Sequence, residues 1–83
     1  MNTTPYAAAL NASAARLAHV NQVLRPKLLT AQAVAGALND QDSLEASIAW
    51  AEVEGIQAAI TSMQADAKKY TEYAEELRGE ADL

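Results

Sequence analysis

The side chains that most often carry chemistry are scarce in this sequence, which has one histidine, His19, and no cysteine. A lone histidine makes no pair at helical metal-ligand spacing, so His19 reads as a solvated or half-buried side chain rather than a base or a ligand. No serine stands with a histidine and an acid in a nucleophile–base pattern, and no glycine-rich loop could hold a phosphate. The expectation is a chain that is not an enzyme and takes no cofactor or metal. Without cysteine there is no disulfide scaffold and no sign of an oxidising compartment.

The residues that remain as candidates are suited to contact with another macromolecule. Trp50 is the only tryptophan; off the main apolar stripe of its helix, it is either a binding anchor or a cap on a thin core near the turn. Ala51, Gly55 and Ala59 repeat a small-xxx-small spacing that lets another backbone come close, although Glu52 and Glu54 interleave. Glu72, Glu75 and Glu76, followed by Glu80 and Asp82, make an acidic patch. Such a patch is a solubilising helix end or an anionic surface that docks in a basic groove. Direct nucleic-acid binding is disfavoured, because six basic residues make no stripe and the net charge is −5. Asn11-Ala12-Ser13 matches a glycosylation acceptor only by chance, since it falls inside a helical pattern.

These candidates must be positioned by helices. Of the 83 residues, 20 are alanine, only three are glycine and two are proline, a composition that favours helix and offers no alternating β-branched runs. Thr4-Pro5 reads as a helix start, with threonine as cap and proline in the first turn. From there Tyr6, Leu10, Ser13, Leu17, Val20, Leu24, Leu28, Ala31, Ala35 and Leu38 recur at steps of three and four, forming one stripe on both sides of Pro26. A kink at Pro26 in one helix is therefore favoured over a break.

Asn39-Asp40-Gln41 is the central turn signal, and Asp42-Ser43-Leu44-Glu45 reads as a capping box with Asp42 as cap. The second stripe is Val53, Ile56, Ile60, Met63, Ala67, Tyr70, Ala74 and Leu77, with Gly79 as a stop. Leu44 and Ile48 lie off it and suggest a second packing face. The predicted architecture is all-α: a single helical-hairpin domain over residues 1–83, with a helix over about 5–38, a turn at 39–41, a helix over about 42–78 and a tail at 79–83. A turn centred near Asp40 places Leu38 opposite Leu44, Leu17 opposite Met63 and Ala67, and Pro26 opposite Gly55, where glycine would permit close approach.

Charge supports this pairing. Up to Asn39 the chain carries Arg16, Arg25 and Lys27 and no acid, whereas from Asp40 onward eleven acids face Lys68, Lys69 and Arg78. Opposite halves laid side by side attract, which sets orientation more than stability.

Two helices alone enclose little core, so the hairpin is expected to assemble into a helical bundle, as a homo-oligomer or with a helical protein partner. No run of about 18 apolar residues occurs and the N-terminus lacks the basic residues of a secretory signal, so no membrane contact and cytoplasmic residence are expected. The outline resembles small dimeric bundle regulators, secretion needle subunits with their co-chaperones, and small phage inhibitors. No motif joins the chain to any of them; Asn39-Asp40-Gln41-Asp42 stands where the needle subunits have a proline-rich turn. The expected function is a protein-binding module (an adaptor, chaperone or structural subunit), with an acidic inhibitor of a basic nucleic-acid-binding site as the alternative.

Overall fold

Thr4 opens the first helical rod as the sequence predicts: its hydroxyl oxygen accepts from the Ala7 N–H at 3.1 Å, and Pro5 occupies the first turn. The computed structural model describes residues 4–38 and 43–81. Its elements are α1 (Pro5–His19), a π turn (Val20–Leu24), α2 (Arg25–Ala37) and α3 (Leu44–Ala81). The first three run on without interruption, and α3 packs antiparallel along them in a helical hairpin.

The π turn explains how one helix passes through Pro26. Proline has no N–H for the carbonyl of Gln22, and its ring clashes with that carbonyl in regular α geometry. One wide turn immediately upstream, with the Arg25 N–H donating to the Val20 carbonyl, absorbs an extra residue. The outcome is neither a break nor a relief by Gly55. A methyl group added at Gly55 would meet nothing within 4 Å, so no close approach exists there and the expected Pro26–Gly55 contact is corrected.

The buried line of α3 is Ala46, Ala49, Val53, Ile60, Ala67 and Ala74, with Ile56, Met63 and Leu77 half-buried between them. This is a heptad pattern sustained to the start of the helix. Leu44 and Ile48 do not join it: they are 76% and 59% exposed, and alanines take the core positions there. On the first rod Ala9, Ser13, Val20, Ala31 and Ala35 are buried, while Leu17, expected in the core, is 43% exposed.

Register follows from the same shift. Ser13 meets Thr71, and Arg16 meets Tyr70, so facing residues lie about one helical turn further along α3 than a turn centred at Asp40 would give. That predicted turn, 39–41, lies outside the described residues, as does Asp42. Ser43 supplies the observed cap: its hydroxyl accepts from the Ala46 N–H at 3.2 Å, and its carbonyl accepts from Ser47. Gly79 is not a stop, since α3 continues to Ala81.

The rods leave a long, thin molecule. Its extents are 62 × 21 × 13 Å and its radius of gyration is 18.3 Å, against about 12 Å for a compact chain of this length. The accessible surface is 6114 Å², whereas a typical monomer of this mass exposes about 4,800 Å².

Candidate functional site

The α3 heptad sorts its side chains into two flanks. Buried residues Val53, Ile60, Ala67 and Ala74 recur every seven positions. On one side of this line run Trp50, Gln57, Gln64 and Thr71; on the other run Glu45, Glu52, Ala59, Asp66 and Tyr73, by the 100° turn per residue.

The second flank is hollowed. Between α2 and α3 lies a mainly apolar depression of about 580 Å³, whose lining includes Val23, Pro26, Val34, Ala49 and Ile56, with Lys27 on the α2 rim and Glu52 on the α3 rim. Towards the open end a hollow of about 380 Å³ is lined by Arg16, Asp66, Lys69, Tyr70 and Tyr73. A third, about 280 Å³, shares Tyr70 and Tyr73 and adds Pro5, Ala8 and Ala9. The hollows exist because alanine fills the core positions between the rods, so the larger side chains beside them stand as walls with no floor atoms to meet.

Arg16 is the best-held cation of this flank. Its guanidinium donates to the Ala12 carbonyl at 3.0 Å, reaches the Tyr70 hydroxyl at 3.4 Å, and lies 4.3 Å from the Tyr70 ring centroid. The long stem covers apolar surface while the head stacks on the ring, which fixes α1 against α3. On the opposite flank the buried Ser13 hydroxyl lies 2.9 Å from that of Thr71, which donates its own hydrogen to the Ala67 carbonyl. Thr71 has only one hydrogen, so Ser13 is the donor of that bond.

The sequence-predicted candidates are spread over the surface rather than gathered. Trp50 is 41% exposed, on the flank away from the hollows. Ala51, Gly55 and Ala59 are exposed along the outer side of α3, with Ala59 nearest the hollowed flank. Glu72, Glu75 and Glu76 are exposed near the far end of α3. The structure brings together a different set, with Val23, Val34, Ile56, Tyr70 and Tyr73 forming the walls and Arg16, Lys27, Glu52 and Asp66 the rims.

The chain matches no known protein family, no curated protein and no solved structure. Among the described residues no three histidine, cysteine or acidic side chains are grouped to hold a metal ion. No helix of the described residues is long and apolar enough to cross a membrane. The arrangement offers apolar concavity, aromatic walls and rims that carry both signs of charge.

Proposed function

We propose that this chain is a non-enzymatic protein–protein interaction module, an adaptor, chaperone or structural subunit, that uses the side of its hairpin to bind helices. The observation that carries this reading is the excess of exposed surface. The hairpin exposes 6114 Å², roughly 1,300 Å² more than a compact monomer of its mass. Large apolar side chains are exposed along it, among them Leu10, Leu17, Val23, Val34, Ile48, Trp50 and Tyr73. Covering about 800 Å² per partner is what a stable interface of ordinary size requires.

Salt is the test. Association through apolar flanks should persist in 1 M sodium chloride, where ion pairing is largely screened at separations beyond about 3 Å. Sedimentation of the chain alone, and pull-downs from its native host at low and high salt, measure this. A folded monomer that captures no partner at either salt would overturn the reading. Capture that vanishes with salt and with Glu72, Glu75 and Glu76 changed to glutamine would replace it with the acidic-inhibitor alternative.

A further inference from the structure

The hollowed flank has a rim pattern that says what fits it. Its first-rod rim carries the cations Arg16 and Lys27; its α3 rim carries the anions Glu52 and Asp66, with Lys69 beside Asp66. A complementary occupant is therefore a pair of rods whose acidic member lies over Arg16 and Lys27 and whose basic member lies over Glu52 and Asp66. This chain is itself such a pair, with three bases and no acid up to Asn39 and eleven acids beyond it.

Resting on the interaction-module reading, we propose that a second copy of this chain packs on the hollowed flank. The two-fold axis runs parallel to the rods, so that α3 of each copy lies over α1 and α2 of the other. The interface is then isologous, each cation rim meeting an anion rim, and every neighbouring pair of helices in the resulting four-helix bundle is antiparallel. A two-fold axis perpendicular to the rods would set α3 on α3 and the first rod on itself, so that Arg16 and Lys27 would face a rim of like cations, which disfavours it. The chain as a whole exposes roughly 1,300 Å² more than a compact monomer of its mass, and an interface of ordinary size takes about 800 Å² from each partner. Val23, Val34 and Tyr73, exposed in the single chain, are the side chains available to fill the partner's hollows.

Sedimentation equilibrium of the full chain across micromolar concentrations should show a species of twice the 8.8 kDa chain mass. Val23→Glu and Val34→Glu, both at exposed positions, should each weaken dimerisation at least about tenfold, the effect of a charge in a dry interface, with helix content unchanged. Trp50→Ala, on the other flank, should leave the dimer intact. The chain has no cysteine, so Glu75→Cys accepts a single spin label. The proposed axis keeps the two labels level along the bundle, about 20–30 Å apart, whereas α3 on α3 would set residue 75 opposite residue 50 and separate the labels by at least about 38 Å along the axis alone.

A dimer lost in Trp50→Ala but kept in Val34→Glu, or the longer label distance, would overturn the proposal. So would a chain that stays monomeric. If that monomer still binds a foreign helical protein, and Val34→Glu abolishes the binding, the interaction-module reading stands and only the second copy is wrong. If it binds nothing, both fall.

Discussion

The half of the hairpin beside the connection and the half at its open end are held by different forces. Near the connection the buried cluster is Ala31, Ala35, Ala49 and Val53, flanked by Leu28, Leu38 and Ile56, all with apolar side chains. Towards the open end Ala9, Ala67 and Ala74 are buried alongside Ser13, and directional contacts cross between the rods: Ser13 to Thr71, and Arg16 to Tyr70. Alanine lets helices approach closely but contributes little area per residue and does not prefer one register strongly. A few hydrogen bonds between specified partners supply the register that an alanine seam lacks.

Between the halves sit Val20, 1% exposed, and Ile60, the bulkiest buried side chain of the α3 line. The largest effect is expected there. Ile60→Ala should cost about 2–5 kcal/mol in chemical denaturation, because the cavity it leaves lies where both halves depend on it. Leu17→Ala, at a half-open position, should cost under about 1 kcal/mol. Equal losses at the two would place Leu17 in the core and remove the distinction between flank and seam.

Overpacking tests the close approach in the connection half. Ala35 is fully buried, so Ala35→Leu should destabilise by about 1–3 kcal/mol as the rods are forced apart. Ala33→Leu, at an exposed position of the same helix, should change stability by no more than about 0.5 kcal/mol. Thermal melts of both variants supply the measurement. If Ala35→Leu is neutral, the alanine cluster is loosely packed and the hollow beside it can collapse to accept the larger side chain.

Sequence periodicity was enough to specify two antiparallel helices and most of the α3 seam, from Val53 to Leu77. It failed where alanine does the packing. Leu44 and Ile48 stand off the α3 stripe as expected, but the stripe itself does not shift there: the heptad extended back from Val53 falls on Ala49 and Ala46, which are the buried ones. The π turn also left a trace: Val20, Leu24 and Leu28 are spaced by two successive steps of four, one residue more than a regular alternation. Its effect on register could not be read from spacing alone: in the structure Ala9 is buried, while Leu10 and Leu17 of the expected stripe are 39% and 43% exposed. The hollowed flank was missed for a related reason. Its walls come from the π turn, α2 and α3 together, with seam residues Ile56 and Tyr70 beside Tyr73, and no single helix shows them as one surface.

The polar contacts of the open end carry a smaller expected effect than the core. Ser13→Ala removes the donor to Thr71 while leaving the Thr71 bond to Ala67 in place, and should cost about 0.5–1.5 kcal/mol. A double-mutant cycle with Thr71→Val isolates the pairing. Coupling near zero would mean that register at this end rests on Arg16 and Tyr70 instead, which the cycle of Arg16→Ala with Tyr70→Leu would then reveal.

Gly55 gives the smallest effect and the sharpest discrimination between the expected register and the observed one. If the rods touched at Pro26 and Gly55, a methyl group there would push them apart and Gly55→Ala would destabilise. In the structure Gly55 lies mid-helix on the outer side of α3, and an added Cβ meets nothing within 4 Å. Alanine then only restricts the unfolded chain and improves helix propensity, which should stabilise by about 0.5–1 kcal/mol. The measurement belongs at a chain concentration where the protein is monomeric and again where any oligomer has formed. A gain at both means that no backbone approaches Gly55 in either state. A gain in the monomer that turns to a loss in the oligomer would move the docking surface from the hollowed flank to the outer line of Ala51, Gly55 and Ala59.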